Sequence, residues 1–65
     1  MKLTVNGEPR ELDATDVAAL VETLGLPAAA TLVEHNGTAL RRDEWSGRAV
    51  RDGDRFELIR IVAGG

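Results

Sequence analysis

The chain closes with Ala63-Gly64-Gly65, and the α-carboxylate of the last glycine is the group in this chain best suited to chemistry. Because Gly64 and Gly65 have no Cβ, this end of the chain can enter a narrow cleft. A carboxylate is a poor electrophile, since its charge and resonance repel nucleophiles, so the group needs activation before it reacts. Glycine is also common at disordered termini, and the tail alone is therefore weak evidence for a function.

Side chains that commonly catalyse reactions or bind metals are scarce. The chain has no cysteine, which excludes disulfides, thiolate metal sites and a cysteine nucleophile. His35 is the single histidine, which excludes a multi-histidine metal site, and a lone histidine near a strand end is expected to be structural or exposed. We therefore expect no bound cofactor and no metal. Six acidic residues fall in predicted turns or caps, which explains them without a metal: Asp13, Asp16, Asp43, Glu44, Asp52 and Asp54.

The charge balance argues against a nucleic-acid partner. The formal net charge is −3, and the densest basic pair, Arg41-Arg42, is followed at once by Asp43-Glu44, so no basic stripe is available to displace counterions. No apolar run approaches the roughly 18 residues that span a bilayer, and no signal-peptide core follows Met1. We expect a cytoplasmic protein that does not contact a membrane.

The first elements that must position the tail form a predicted hairpin. Residues 2–5 alternate with the period of a half-buried strand, with Leu3 and Val5 on one face. Asn6-Gly7 is typical of a type I′ turn, which needs positive φ at both central positions. Residues 9–12 then return as a strand at the edge of the sheet, because Pro9 cannot donate a main-chain hydrogen bond.

A single helix follows the hairpin. Asp16 or Thr15 can accept hydrogen bonds from the free amides of its first turn. Gly25 suits a left-handed residue just beyond the helix, and Pro27 prevents its continuation. The helix has one apolar face at the i, i+3, i+4, i+7 spacing, formed by Val17, Leu20, Val21 and Leu24.

A second hairpin and a short turn are predicted next. Residues 30–36 favour a strand with Leu32 and Val33 as its apolar content, and Asn36-Gly37 turns the chain back through residues 38–40. Residues 43–46 have room for a single turn only. Within it, Trp45 is expected to cover the core, with its indole N–H bonded to the main chain.

The last element is a strand that leads into the tail. Asp52-Gly53-Asp54 is a tight turn, and residues 55–62 favour a strand. If Phe56 and Leu58 face the helix, Ile59 and Ile61 lie on the opposite face.

Exposed isoleucines beside the tail would suit partner docking, although isolated surface hydrophobic residues are also normal. We therefore assign Ile59, Ile61 and Val62 to partner binding, with Arg60 as a cation that could pair with acidic groups on a partner.

The order of hairpin, helix, hairpin, turn and strand predicts an α+β chain. One helix must cover one face of the sheet for either to bury its apolar side, and a parallel crossover should be right-handed. A β-grasp (ubiquitin-like) fold satisfies this, with a mixed sheet of four to five strands and the final strand central and parallel to the first. We expect residues 1–62 to form this domain and residues 63–65 to form a flexible tail.

The sequence resembles the ThiS-type sulfur carriers of thiamin biosynthesis over essentially its whole length. The most specific parts are residues 42–45 (Arg-Asp-Glu-Trp), the Asp52-Gly53-Asp54 turn and residues 61–65 (Ile-Val-Ala-Gly-Gly). Two positions depart from the family: Arg41 stands where a proline is frequent, and His35 stands where an apolar residue is usual. The departure at Arg41 leaves the tail untouched.

This resemblance implies a protein co-substrate and not an enzyme. In such carriers the terminal carboxylate, here that of Gly65, is adenylated with ATP by a ThiF-like adenylating enzyme, which consumes the nucleotide. Sulfur from a cysteine desulfurase relay then gives a thiocarboxylate, which donates sulfur on a ThiG-like thiazole synthase. Ala63 and Gly64 would give the tail access to both active sites. The free carrier is expected to be a monomer.

Four alternatives remain open at this point. The related MoaD-like subunit of molybdopterin synthase also ends in Gly-Gly, although such carriers are usually somewhat longer. The chain could serve another sulfur pathway, such as cysteine formation or tRNA thiolation, or be a modifier that is conjugated to proteins. A non-catalytic β-grasp interaction module with incidental glycines is the fourth.

Overall fold

The computed structural model describes residues 1–62, so the predicted tail, Ala63-Gly64-Gly65, lies outside the described residues. These residues form a five-stranded mixed sheet with one α-helix, and the strand order is β2-β1-β5-β3-β4. Two short 3-10 helices, Ala28–Ala30 and Arg42–Gly47, complete the chain. The strands and helix are β1 Lys2–Val5, β2 Glu8–Glu11, α1 Val17–Thr23, β3 Thr31–His35, β4 Thr38–Leu40 and β5 Arg55–Arg60.

The sheet has the topology predicted from the order of the elements. The last strand, β5, is central, parallel to β1 and antiparallel to β3. β2 lies at one edge and contains Pro9, which needs no main-chain partner for its nitrogen. The β-grasp prediction is confirmed, with five strands.

Both Asn-Gly dipeptides form the predicted hairpin turns. Asn6 and Gly7 have φ angles of 52° and 80°, and Asn36 and Gly37 have 50° and 86°. Positive φ at two consecutive residues matches the right-handed twist of the strands that each turn joins.

The helix α1 begins and ends where the sequence predicts. The Asp16 carboxylate accepts a hydrogen bond of 2.8 Å from the Ala19 amide and so caps the first turn. Gly25, with a φ of 70°, turns the chain away after the last turn. Val17, Leu20 and Val21 are almost fully buried against the sheet, while Leu24 is half-buried.

The core lies between α1 and one face of the sheet. Phe56 and Leu58 of β5 contribute to it beside Leu3 and Val5 of β1, and Trp45 covers it from the second 3-10 helix. That helix spans six residues, so the prediction of a single turn at residues 43–46 was too short. The Glu44 carboxylate accepts a hydrogen bond of 2.7 Å from the Arg41 amide, which extends the structure in the N-terminal direction.

The Trp45 side chain differs from the prediction in one respect. It is only 3% exposed, yet its indole N–H has no hydrogen-bond partner among residues 1–62. The expected bond to the main chain is absent from these residues, and the Arg42 guanidinium lies 5.1 Å from the ring centre.

Candidate functional site

The strand β5 carries the chain end out of the middle of the sheet. Its pairing with β3 continues past Arg60, because the Ile61 amide donates a 2.6 Å hydrogen bond to the Ala30 carbonyl. Val62 is the last described residue, and its side chain is 78% exposed. The main chain is therefore anchored to the sheet up to the residue before Val62.

Three large apolar side chains lie exposed on the face of the sheet that α1 leaves open. Ile59 and Ile61 alternate with the buried Phe56 and Leu58, and Leu32 stands directly opposite Ile59 in the β3–β5 register. Their exposed fractions are 52% for Leu32, 53% for Ile59 and 48% for Ile61. We name these three residues the open-face patch.

Leu32 belongs to this patch although the sequence did not single it out. It was predicted only as apolar content of β3 together with Val33. Adjacent strand residues face opposite sides, and Val33 is buried, so Leu32 must point away from the core. Two consecutive apolar residues in a short strand were the available signal.

Two carboxylates border the open-face patch. Glu34 and Glu57 are directly opposite each other in the β3–β5 register, two pairs further from the chain end than Leu32 and Ile59. Like charges in this position repel, which weakens the pairing slightly. Both side chains are exposed, so water screens the repulsion.

Arg60 lies on the other side of the sheet from Ile59 and Ile61. It follows the alternation of Phe56 and Leu58, and it lines a groove with Leu24 and Leu26 at the C-terminal end of α1. The structure thus brings Ile59 and Ile61 together and separates Arg60 from them.

Each asparagine of the two hairpin turns also bonds to the main chain of β5. The Asn6 side chain accepts from the Leu58 amide at 2.7 Å and donates to the Leu58 carbonyl at 3.1 Å. The Asn36 side chain accepts from the Arg55 amide at 2.8 Å. The two side chains therefore fix β5 from its two neighbouring hairpins.

His35 is buried beside the start of β5, where its contacts stabilise the fold. The residue is 6% exposed, and its ring stacks on Phe56 with 4.5 Å between ring centres. The Arg48 guanidinium donates to Nδ1 at 3.0 Å, so the hydrogen bond of 2.7 Å to the Asp54 carboxylate is donated by Nε2. This cluster lies at the opposite end of β5 from the chain end.

The Asp54 carboxylate is stabilised in its charged form. Burial acts to raise its pKa, but hydrogen bonds from His35, the Arg51 amide and Asn36 outweigh that effect and hold the pKa below its ordinary value. Asp54 therefore joins the turn before β5 to the end of β3.

The part of the chain that the structure describes offers no group of three or more histidine, cysteine or acidic residues placed to hold a metal. None of the helices in residues 1–62 is long and apolar enough to cross a bilayer.

Comparison with known proteins identifies the family. The model of the ThiS family matches residues 3–65, which is nearly the whole chain. The chain belongs to the ThiS family. It is thus a small sulfur carrier of thiamin biosynthesis and not itself a catalyst, as its resemblance to these carriers implied.

Curated and solved relatives agree with membership in the ThiS family. The sulfur carrier protein ThiS of Thermus thermophilus is 33% identical over 61 residues, which cover 94% of this chain and 95% of that protein. The crystal structure of the thiamine biosynthesis protein ThiS from Geobacter metallireducens superimposes with a TM-score of 0.85 at 38% identity, covering 100% of both chains. A solution structure of a thiamine biosynthesis protein from that organism gives 0.83 at 36% identity, covering 100% of this chain and 88% of that one.

One relative of this ThiS-family chain is much longer. A thiazole synthase of Paramagnetospirillum magneticum is 36% identical over 66 residues, which cover 100% of this chain. The chain spans only 20% of that protein's length. A ThiS-like segment therefore occurs within a polypeptide named for thiazole synthesis.

Proposed function

We propose that this carrier holds sulfur as a thiocarboxylate on Gly65 and docks on its partner enzymes through the open-face patch. The observation that supports this proposal is the placement of Ile59 and Ile61 on the strand that leads to the chain end. A partner that covers the open-face patch would hold β5, and the following residues would be directed to the same partner's active site.

The chemistry needs no side chain from the carrier. The Gly65 carboxylate attacks the α-phosphate of ATP on a ThiF-like adenylating enzyme, which forms an acyl-adenylate and releases pyrophosphate. A sulfur nucleophile supplied by a cysteine desulfurase relay then attacks the carbonyl carbon, and AMP leaves with the electrons of the C–O bond. When that nucleophile is a persulfide, a thiol attacks the donor-side sulfur of the acyl disulfide, forms a disulfide with it and expels the thiocarboxylate; when it is sulfide, loss of a proton gives the thiocarboxylate directly. The soft sulfur of this group can attack an electrophilic carbon.

A ThiG-like thiazole synthase is the acceptor we propose for this sulfur. A thiazole synthase that contains a segment similar to this whole chain supports the pairing, because carrier and acceptor sequences are then combined in one polypeptide. The match of the family model through Gly65 supports the assignment of the reacting carboxylate to that residue.

Intact-mass spectrometry tests the thiocarboxylate directly. The purified chain is incubated with the adenylating enzyme of its source organism, ATP and a sulfide source. We expect a mass gain equal to the replacement of one oxygen by one sulfur, located on the C-terminal peptide. Omission of ATP is the control and should leave the mass unchanged.

Two other outcomes would overturn the proposal. An unmodified chain with an active adenylating enzyme would indicate a non-catalytic interaction module. An isopeptide adduct to another protein would indicate a modifier. A third outcome would overturn only the acceptor. If the thiocarboxylate forms but its sulfur is transferred to a molybdopterin synthase large subunit and not to thiazole synthase, the proposed thiocarboxylate is correct and the proposed acceptor is wrong.

A further inference from the structure

The main chain of β5 has an open side beyond Leu58. Bonds from the Asn36 amide to the Arg55 carbonyl and from the Ile61 amide to the Ala30 carbonyl show that the odd-numbered residues of β5 bond to β3. The even-numbered residues therefore direct their N–H and C=O groups toward β1. The Thr4 and Asn6 amides, which donate to the carbonyls of Asp54 and Phe56, agree with this alternation.

The strand β1 ends before β5 does. β1 stops at Val5, and the chain turns away at Asn6. The Asn6 carboxamide occupies the next pairing position, because it bonds to both the amide and the carbonyl of Leu58. One position further, the N–H and C=O of Arg60 point to the vacated side and have no main-chain partner among the elements described for residues 1–62.

A groove lies beside this open stretch on the helix side of the sheet. Its apolar lining consists of Val5, Leu24, Leu26 and Leu58. Its polar lining consists of Asn6, Thr31 and two arginines, Arg10 from β2 and Arg60 from β5. The lining of this groove has two cationic and no acidic side chains, although the net charge of the chain is −3. The groove therefore favours an apolar side chain accompanied by a negative charge.

We propose that an extended acidic segment of a partner enzyme adds to the sheet along Arg60 and Val62, on the side that β1 vacates. Its main chain bonds to the N–H and C=O of Arg60, an apolar side chain enters the groove, and a carboxylate meets Arg10 and Arg60. The inference rests on the proposed function only in taking the adenylating enzyme as partner. The added segment contacts the face of the sheet opposite the open-face patch, so the partner contacts β5 on both faces.

Hydrogen exchange resolved to single amides tests the open edge. In the free chain the Arg60 amide should exchange much faster than the amides of Ile59 and Ile61, which bond to β3. In the complex with the adenylating enzyme the Arg60 amide should slow to the rate of its two neighbours. An Arg60 amide that is already slow in the free chain, or that stays fast in the complex, overturns the proposal.

Charge reversal tests the groove. Arg10→Glu and Arg60→Glu should each raise the Kd for the adenylating enzyme by about tenfold, mostly at low salt. Arg51→Glu is the matched control, since Arg51 is exposed in the turn before β5 at the other end of the strand, and its Kd should stay within about twofold. Equal losses in all three variants would mean a general charge effect and would overturn the proposal.

The inference and the proposed function fail separately. Suppose that Ile59→Glu abolishes binding, but the Arg60 amide still exchanges fast in the wild-type complex and Arg10→Glu keeps the wild-type Kd. Docking on the open-face patch then stands, and strand addition is wrong. If protection of the Arg60 amide rises with the concentration of the free chain, the occupant is a second copy of this chain and the proposal is overturned.

Discussion

At the scale of single residues, the two turn asparagines have a second role besides adopting the positive φ of their turns. Glycine would supply positive φ at least as easily as Asn6 or Asn36. What glycine lacks is the carboxamide, which in Asn6 bonds to Leu58 and in Asn36 to the Arg55 amide. Each asparagine thus closes its own turn and fixes the neighbouring central strand.

Replacing Asn6 by glycine should separate these two roles. Asn6→Gly keeps the turn conformation and removes both hydrogen bonds to Leu58, so the free energy of unfolding should fall by about 1–3 kcal/mol. Asn6→Asp is the matched variant: it keeps the acceptor for the Leu58 amide but places a second carboxylate oxygen against the Leu58 carbonyl, so it should lose at least as much as Asn6→Gly. Urea unfolding measures both, and an Asn6→Gly variant as stable as the wild type would contradict this role.

Asp54 should make stability depend on acidity. Because its pKa is lowered in the folded chain, its contribution is fully present above the unfolded value and is lost as the pH falls through the folded one. Asp54→Asn should therefore be less stable than the wild type near neutral pH, and the difference should narrow below about pH 4. Thermal unfolding across this range measures it. A difference that stays constant down to acid pH would refute the assignment.

If the proposed thiocarboxylate forms on Gly65, a side chain at this residue should not be tolerated. Gly65→Ala leaves residues 1–62 unchanged and should fold normally, yet a misplaced reacting group costs about a hundredfold in rate. ATP–pyrophosphate exchange with the adenylating enzyme measures this loss. Ala63→Gly, which narrows the same tail, serves as the control and should retain exchange. Wild-type exchange by Gly65→Ala would show that a Cβ is accepted there.

At the scale of elements, strand alternation divides the surface of β5 into two faces with different contacts. Ile59 and Ile61 face the open side, while Arg60 faces the groove beside α1. A single strand therefore offers a partner apolar contact on one face and charge on the other.

The open-face patch should tolerate charge in the fold but not in the complex. Ile59 is 53% exposed, so Ile59→Glu should change stability little, while its Kd for the adenylating enzyme should rise by about tenfold or more. Leu32→Glu should behave in the same way, because the two side chains are opposite each other. Ser46→Glu adds the same charge at an exposed site of the second 3-10 helix. Calorimetry that finds equal affinity for Ile59→Glu and Ser46→Glu would exclude docking on this patch.

Local patterns predicted the elements well because each depends on neighbouring residues. Asp16 and Gly25 mark the ends of α1, and the Asn-Gly pairs mark the hairpins, since a cap or a positive φ is a property of a few adjacent residues. The second 3-10 helix is one residue longer at each end than predicted. The bonds at its ends, from the Arg41 amide to the Glu44 carboxylate and from the Arg48 amide to the Trp45 carbonyl, are not marked by any apolar period.

At the scale of the whole molecule, features that join distant segments were the ones the sequence could not supply. Residue spacing says nothing of which side of β5 stays unpaired, because that depends on where β1 ends relative to β5 in the assembled sheet. Arg10 and Arg60 reach one groove only through the strand order. The missing partner of the Trp45 indole N–H within residues 1–62 could not be predicted either, since its surroundings are set by packing between elements.

The central position of β5 also has a mechanical consequence. A partner that pulls on the chain end applies its load along a strand that is bonded to β1 and the Asn6 side chain on one side and to β3 on the other. Because this load acts parallel to the strand, it is shared by both rows of hydrogen bonds. The bonds must therefore break together and not one at a time. The sheet is therefore a fixed anchor for the main chain up to Ile61, and we expect the carrier to stay folded when such a load is applied.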